Sequence, residues 1–507
     1  MQSILKEGET CWRIAKADRL SIIIDAADFF RHAKTAMAKA KRSIYLVGWD
    51  FDTRIDLIPG NGDDRQRNRN ETDQLPDQLG KFLNALAARN EDLDIRILKW
   101  DIGLVNSITR GETPFYILKW MFDKRIHLKL DGAHPSISSH HMKLLVIDDE
   151  VAFCGGIDMT VGRWDTRDHA ENENLRRSPM GFAQGPWHDA TTCLSGEAAR
   201  ALGEVARNRW KLATDEDLPS PPAMAQKDTP WPDGLDVGFR DISIGIARTA
   251  PEYDERKQIV EIEIAKLAII AAVKKTLYVE SQYFASRRIA EAMADRLKEP
   301  DGPEIVLINP EGCEGFLEAK AMDGARIRLM KLVEQADIHD RFRIYYPVNA
   351  ARTPIYVHAK MMFADDRIVK IGSANLNNRS MGYDTECDLI LEASEGQAEL
   401  TEKIIATRDD LIAEHLGREP AEVSDTIAAY GGSIIKAIEA LNRETGRGLV
   451  PVPMRELTAD EELIAESDIA DPERPAGVRY RASHFLRQRF GKSKNKINHI
   501  EAATNPP

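Results

Sequence analysis

Cysteine is scarce in this chain, five in 507 residues, and no two of them form a C-x-x-C pair. Odd in number and widely spaced, Cys11, Cys154, Cys193, Cys313 and Cys387 argue against a disulfide framework and against a cysteine-based structural zinc site, and they suit a reducing compartment. Long apolar runs are missing as well. No stretch of about 20 apolar residues offers a membrane span, and the opening "MQSILKEGETCWRIAKADRL" holds no hydrophobic segment of leader-peptide length. Positive charge is in deficit: 69 Lys and Arg face 82 Asp and Glu, a net charge of −13. That balance weighs against a general nucleic-acid binder, because phosphate backbones select basic surfaces. The expectation is a cytoplasmic protein that meets membranes from outside, with export lacking a cleavable leader left open.

The content that is present reads as an ordinary globular chain, 43% apolar and 30% charged, with a length that favours two lobes over one core. "DAADFFRHAKTAMAKAKRSIYLVGWDFD" spells a helix, from apolar residues three and four apart, feeding a buried strand at Ile44–Trp49. "DIRILKWD" and "RIHLKL" supply further strands, and "PGNGDDRQRNRNETDQLPDQ" reads as an exposed loop. The proline-rich "ATDEDLPSPPAMAQKDTPWPDG" reads as a linker, after which helix and strand alternate again through "RKQIVEIEIAKLAIIAAVKK", "TLYVESQYF", "PEIVLINP", "DGARIRLMKLVEQA" and "RFRIYYPV". "SIYLVGWDF" in the first half answers "TLYVESQYF" in the second, which marks an internal duplication too long in period for a solenoid. The division expected is an N-terminal lobe over 1–212, a linker over 213–238, a C-terminal lobe over 239–420 and an extension over 421–507. In that extension an acidic run precedes the basic "RYRASHFLRQRFGKSKNKINHI", which reads as a solvated tail or as a tether to anionic lipid through residues 479–500.

One pattern is written twice. "HMKLLVIDD" runs from His141 to Asp149, and "HAKMMFADD" from His358 to Asp366, with histidine, lysine and aspartate at equal offsets. Residues i and i+2 of a strand share a face, so His141 projects with Lys143 and His358 with Lys360, while Asp148 and Asp365 fall where each apolar strand ends. Beyond each copy, at equal offsets again, come Asp158 in "GGID" and Asn375 in "GSAN", where glycines permit close approach to a ligand. A single His-x-Lys pair carries little weight. Two copies matching at five positions point to a shared site.

On these residues the chain resembles the phospholipase D superfamily, whose signature is a pair of H-x-K-x4-D motifs. "GGIDMTVGRWD", "GPWHD", "YVESQYF", "GSANLNNRSMGYDTECDL" and "RDDLIAEHLG" extend the likeness over roughly residues 10 to 420, nearest to the phosphatidylcholine-hydrolysing branch. The resemblance implies an α/β fold of two similar lobes, each a mixed sheet flanked by helices, related by a pseudo-twofold axis. It implies a motif set of His141, Lys143, Asp148, His358, Lys360 and Asp365. His141 would attack phosphorus and His358 would serve as general acid and base, although the near-symmetry of the motifs leaves the opposite assignment open. Lys143, Lys360 and Asn375 would hold phosphate oxygens. An ionised Asp158 would repel phosphate, so it is expected to be hydrogen-bonded to loop amides or protonated. Matching "PWHDATTCLSG" to "YDTECDLILE" places Asp189 and Glu386 as the carboxylates that fix the second imidazole nitrogens. Asp148 and Asp365, though part of the motif, are expected to fix local backbone.

No cofactor and no metal are expected. His140, His169 and His188 lack the spacing of zinc motifs and read as polar loop residues. Trp49, Trp164 and Trp187 read as lining an acyl entrance or as core aromatics. The activity expected is hydrolysis of a phosphatidylcholine-like glycerophospholipid to phosphatidic acid and head group, with head-group exchange when an alcohol replaces water. Phosphatidyl transfer of the cardiolipin-synthase type and nucleic-acid phosphodiester cleavage are the alternatives, and a binding protein without catalysis would be expected to have lost a motif. The partner expected is phospholipid at a membrane surface, with no nucleic acid, met by a monomer whose active site lies within one chain.

Overall fold

The computed structural model describes residues 3–60, 75–101, 116, 118–120, 122–135, 138–223, 229–313, 316–457 and 471. The tether expected at 479–500 and most of the exposed loop expected at 59–78 lie outside the described residues. Eighteen strands follow one another as β1 (Arg13–Ile24), β2 (Ser43–Gly48), β3 (Asp94–Trp100), β4 (Ile126–Asp131), β5 (Leu144–Ile147), β6 (Val151–Gly155), β7 (Trp187–His188), β8 (Ala190–Gly196), β9 (Phe239–Ala250), β10 (Ile259–Val260), β11 (Thr276–Glu280), β12 (Glu304–Ile308), β13 (Phe342–Val348), β14 (Tyr356–Val357), β15 (Met361–Ala364), β16 (Ile368–Gly372), β17 (Glu386–Glu392) and β18 (Gly448–Pro451).

Their order across the sheet displays the duplication. It runs β18-β13-β12-β11-β15-β16-β17-β9, then β1-β8-β6-β5-β2-β3-β4. Reading outward from the β9–β1 seam, β17 matches β8, β16 matches β6, β15 matches β5, and β11, β12 and β13 match β2, β3 and β4. Within each half the strand pairs β2–β3–β4 and β11–β12–β13 are parallel, and the rest are antiparallel. Two mixed sheets flanked by helices are thus one continuous sheet, joined by antiparallel pairing of β1 with β9 from Arg13↔Ile246 to Leu20↔Phe239.

The short inner strands, such as "LLVI" of β5 and "MMFA" of β15, are buried along their whole length. That explains why they read as unbroken apolar runs without alternation. The seam strands read poorly for the opposite reason. In β1 "RIAKADRLSIII" mixes charged and apolar residues without a clean period, and its pairing with β8 shifts register between Ala17 and Leu20. The two halves also pack against each other, with Val146, Cys154 and Leu194 sharing one core with Val369, Ile371 and Leu389.

The C-terminal boundary expected at residue 420 cuts through packed structure. Helices Pro420–Ala429 and Ile434–Leu441 bury Val423, Ile427, Ile434 and Ile438 in that same core, and β18 pairs with β13. In the expected linker, the helix Glu197–Thr214 ends at its start, and the described residues from 215 to 238 form no strand or helix. Among the described residues no helix is long and apolar enough to cross a membrane.

Asp148 and Asp365, grouped with the reacting residues by the motif, hold local backbone, as expected from their places at strand ends. Each stands at the end of its inner strand with a positive φ (55° and 52°) and caps the chain entering the strand next to it. Asp148 accepts the amide N–H groups of Lys41, Arg42 and Ser43, all at 2.8 Å. Asp365 accepts those of Lys274, Lys275 and Thr276 at 2.7–3.1 Å. These bonds orient β2 and β11, and neither aspartate lines the cavity described below. Replacing Asp148 with Ala leaves those three donors without their acceptor, at an expected cost of about 1–3 kcal/mol. Denaturant unfolding should show a lower midpoint while turnover per folded molecule holds. An unchanged midpoint with turnover abolished would return Asp148 to the chemistry.

Candidate active site

The two repeated stretches meet in one cavity of about 440 Å³, whose walls include His141, His358, Asp158, Asn375, Arg163 and Trp187. Backbone pairing across the halves brings them there. The His141 amide donates to the Thr385 carbonyl (3.0 Å), and the Thr385 amide donates to Ser139 (3.0 Å). In the mirrored position the His358 amide donates to the His188 carbonyl (2.7 Å), beside the parallel pair β7–β14. Each histidine is therefore strapped to the segment of the other half that ends in a carboxylate.

Those carboxylates complete the exchange. His141 Nδ1 lies 3.0 Å from Glu386 Oε2, and His358 Nδ1 lies 2.6 Å from Asp189 Oδ2. Matching the two segments identifies both carboxylates but not which imidazole each one holds, and in the structure each serves the histidine of the other half. Glu386 is held in turn by the hydroxyls of Ser373 (2.5 Å) and Ser380 (2.7 Å), and Asp189 Oδ1 accepts the Ala190 amide (2.8 Å). With Nδ1 committed, the Nε2 of each ring is the nitrogen left to face a ligand.

Cations dominate the electrostatics. Burial, reinforced by Lys143 and Lys360, holds His141 well below the ordinary imidazole value. Burial, Lys360 and Arg163 do the same to His358. Burial pushes Lys360 down to about 7 against the attraction of Asp189, and it raises both Asp189 and Glu386 above the usual carboxylate range. Two neutral imidazoles among buried cations form a site that favours an entering anion, and that anion would in turn restore the proton affinity of an imidazole.

The halves differ in how they treat their lysines. Lys143 donates to the His141 carbonyl (2.8 Å) and pairs with Asp158 Oδ2 (3.2 Å). Asp158 Oδ1 accepts the amides of Trp49 (3.0 Å) and Asp50 (3.3 Å), the loop-amide bonding that its charge required. Lys360 donates to the His358 carbonyl and to Gln282 Oε1 (3.3 Å), and Asn375 Nδ2 donates to the same Gln282 oxygen (3.3 Å). Lys143 is ion-paired with a carboxylate, whereas Lys360 donates its hydrogen bonds to a side-chain amide and a peptide carbonyl, with Asp189 attracting it without a direct ion pair.

Several expectations need correction. The glycine after Gly155 makes room for a protein carboxylate and not for a ligand, because a Cβ on Gly156 would sit 2.2 Å from Asp189 Oδ1. Of the histidines read as polar loop residues, His169 does lie in a loop and His188 ends β7, and both are fully buried among carboxylates from the two halves. His140 is buried too, bonded to Thr385 Oγ1 (2.7 Å), and burial pushes its pKa down to about 3. Trp49 and Trp187 line the cavity, the first stacked on Trp100 (5.7 Å) and the second on Tyr356 (4.6 Å), while Trp164 packs on the N-terminal core.

Gln282 and Arg163 were missed. Aligning "SIYLVGWDF" with "TLYVESQYF" sets Gln282 opposite Trp49, and both reach the cavity, so the repeat carried that signal unread. Arg163 lies over the Trp187 ring at 4.1 Å, with its Nε lacking a hydrogen-bond partner. Nothing in "GRWD" alone separates it from a surface arginine.

A family model described as "Phospholipase D" matches residues 36–292, and one described as "Cardiolipin synthase, PLD-like domain" matches residues 267–407. Phospholipase D A of Dictyostelium discoideum is 24% identical over 497 residues, covering 80% of this chain and 36% of that protein. Phospholipase D2 of Bos taurus is 23% identical over 477 residues, covering 74% of this chain and 50% of that protein. The chain thus spans half or less of the length of these two relatives. The phosphatidylserine synthase of Haemophilus influenzae Rd KW20 shares the fold, with a TM-score of 0.54 at 13% identity over 84% of this chain and 96% of that one.

Two outcomes test the geometry. Gly156→Ala forces Asp189 off His358, so turnover should fall by about 10²-fold while the thermal midpoint stays near that of the parent; undiminished turnover would detach Asp189 from the chemistry. The ammonium of Lys360 is the form that binds an anion, so affinity is greatest below its pKa and falls as pH rises through about 7. Inhibition by diethyl phosphate, a monoanion across this range, should therefore weaken by up to about tenfold per pH unit above that point. Lys360→Met should abolish this slope, and a slope that survives the substitution would contradict the assignment.

Proposed function

This chain belongs to the phospholipase D superfamily, and from that premise we propose that it hydrolyses glycerophospholipids of the phosphatidylcholine kind to phosphatidic acid and free head group. The observation that carries the reading is the single cavity receiving one imidazole from each half, each with Nδ1 held by a carboxylate. In the first step His141 Nε2 attacks phosphorus, the bond from phosphorus to the head-group oxygen breaks, and protonated His358 gives its proton to the departing oxygen. In the second, neutral His358 takes a proton from water as the water oxygen attacks phosphorus, and the phosphorus–nitrogen bond breaks to free His141. Lys143, Lys360 and Asn375 face the non-bridging oxygens, with Arg163 as a further cation on the same wall.

The lysine asymmetry supports this division of labour. The Lys143–Asp158 pair carries little net charge beside His141, so the phosphorus approaches that ring without an excess cation competing for it. Lys360, which has no carboxylate among its hydrogen-bond partners, in its ammonium form offsets the developing negative charge of the phosphate oxygens.

The match of residues 267–407 to the cardiolipin-synthase model supports a second reading, transfer of the phosphatidyl group to an alcohol. The first step is identical, and only the acceptor in the second differs.

Vesicles of phosphatidylcholine, phosphatidylethanolamine or phosphatidylglycerol, with and without ethanol, separate the readings by mass spectrometry of the products. Phosphatidic acid with released head group, and phosphatidylethanol when ethanol is present, are expected. His141→Ala should lower the rate by about 10³-fold or more. Cardiolipin as the main product from phosphatidylglycerol would move the assignment to transfer, and no head group released from any vesicle would defeat both.

A further inference from the structure

Behind the cavity, on the side away from the two reacting imidazoles, lies a second constellation that the proposed reaction does not use. Asp25 precedes the helix Ala26–Met37, His169 stands in the loop before β7, His188 ends β7, and Glu414 lies near the end of the helix Ala398–Leu416. All four are buried, with side-chain exposures of 2% or less. Three come from the N-terminal half and Glu414 from the C-terminal half.

The outer nitrogens of both imidazoles are already committed. His169 Nδ1 donates to Asp165 Oδ2 (2.8 Å), and His188 Nε2 donates to Glu280 Oε2 (2.9 Å). A neutral ring held in that way turns its other nitrogen inward as a lone pair, and a protonated ring turns an N–H inward. His169 Nε2 then lies 3.4 Å from Asp25 Oδ2 and 3.2 Å from Glu414 Oε1, and His188 Nδ1 lies 3.4 Å from Asp25 Oδ1 and 3.1 Å from Glu414 Oε1. Lone pairs facing carboxylate oxygens repel unless a cation stands between them. Asp25 Oδ2 and His188 Nδ1 have no hydrogen-bond partner despite these short separations, while His169 Nε2 and Glu414 Oε1 meet with hydrogen-bonding geometry.

Spacings of this kind are what a metal imposes. Four ligands at about 2.0–2.1 Å in a tetrahedron stand about 3.3–3.4 Å apart. Here the nitrogen–oxygen separations are 3.1–3.4 Å, taking the Asp25 oxygen nearer each ring, and one ligand atom from each of the four residues lies within 4.8 Å of the others. Metal-bound imidazoles usually give their second nitrogen to a carboxylate, as Asp165 and Glu280 provide here. Glu414 Oε2 is taken by Arg167 (2.5 Å), and Oε1 faces the two imidazoles with Arg447 Nη2 at 3.7 Å. We propose that Asp25, His169, His188 and Glu414 bind one divalent first-row transition ion, zinc by its tetrahedral preference, which locks the two halves together behind the active site. Two nitrogens and two carboxylates suit such an ion, and calcium, which takes six or more oxygens, does not fit. The ion would also brace the reacting site. The His188 carbonyl accepts the His358 amide, Asp25 Oδ1 accepts the Asp189 amide (3.0 Å), and Asp189 orients His358.

The competing occupant is a pair of protons. The test uses untagged full-length protein from zinc-replete culture, measured by inductively coupled plasma mass spectrometry after gel filtration in EDTA. About one zinc per chain should remain, fall at least tenfold in Asp25→Asn/Glu414→Gln, and be unaffected by Lys360→Met. Stripping with pyridine-2,6-dicarboxylate should lower the thermal midpoint, and added Zn²⁺ should restore it. Cobalt(II) taken up in place of zinc should show the visible bands of a tetrahedral site. A folded parent protein that holds only trace metal and takes up neither Zn²⁺ nor Co²⁺ would overturn the proposal in favour of protonated imidazoles. Zinc retained equally by the double variant would overturn it by placing the metal elsewhere. Neither readout depends on turnover, so the proposal stands or falls separately from the proposed reaction.

Discussion

The structure depends on an exchange between its halves. Each repeated histidine is positioned by the half that did not supply it, through a backbone hydrogen bond to Thr385 or His188 and a ring contact to Glu386 or Asp189. The β1–β9 seam and the shared core set the two sheets at the one relation where both exchanges close together. A half folded alone would present its imidazole without its carboxylate, its Nδ1 unfixed and its tautomer unassigned. The duplication is therefore more than two copies of a domain side by side. It makes a site that neither copy contains.

Near-symmetry of this kind has to be broken for one ring to attack while the other shuttles protons. The break is visible in few residues. Asp158 stands opposite Asn375, and Trp49 opposite Gln282, so Lys143 is ion-paired with a carboxylate while Lys360 hydrogen-bonds to a side-chain amide and a peptide carbonyl. Gly156 stands opposite Ser373, so one carboxylate is admitted by the absence of a side chain and the other is gripped by a hydroxyl. The same backbone frame thus carries two imidazoles in different fields, which is how like groups take unlike roles.

The parts of this arrangement legible in the sequence were those that repeat. The paired stretches, the α/β alternation and the inner strands β5 and β15 followed from offsets and apolar runs. Asp148 and Asp365 hold local backbone at the strand ends where the sequence places them, although the motif groups them with the chemistry. The seam strands stayed hidden because "RIAKADRLSIII" has no clean period, its partners being supplied by distant segments. The crossing of Glu386 and Asp189 was unreadable because a linear match orders residues along the chain and says nothing of which half faces which. The burial of His169 and His188 was missed for a related reason. Their carboxylate partners Asp25, Glu280 and Glu414 are far away in sequence, so no spacing rule brings them together.

The central claim is that His141 attacks with Nε2, its Nδ1 being held by Glu386 from the other half. Rapid quenching of the protein with a short-chain phosphatidylcholine, followed by peptide mass spectrometry and phosphorus NMR of the trapped adduct, tests it directly. The account predicts one phosphatidyl group, on His141 and at Nε2. An adduct at Nδ1, on His358 alone, or on no histidine while head group is being released would contradict it.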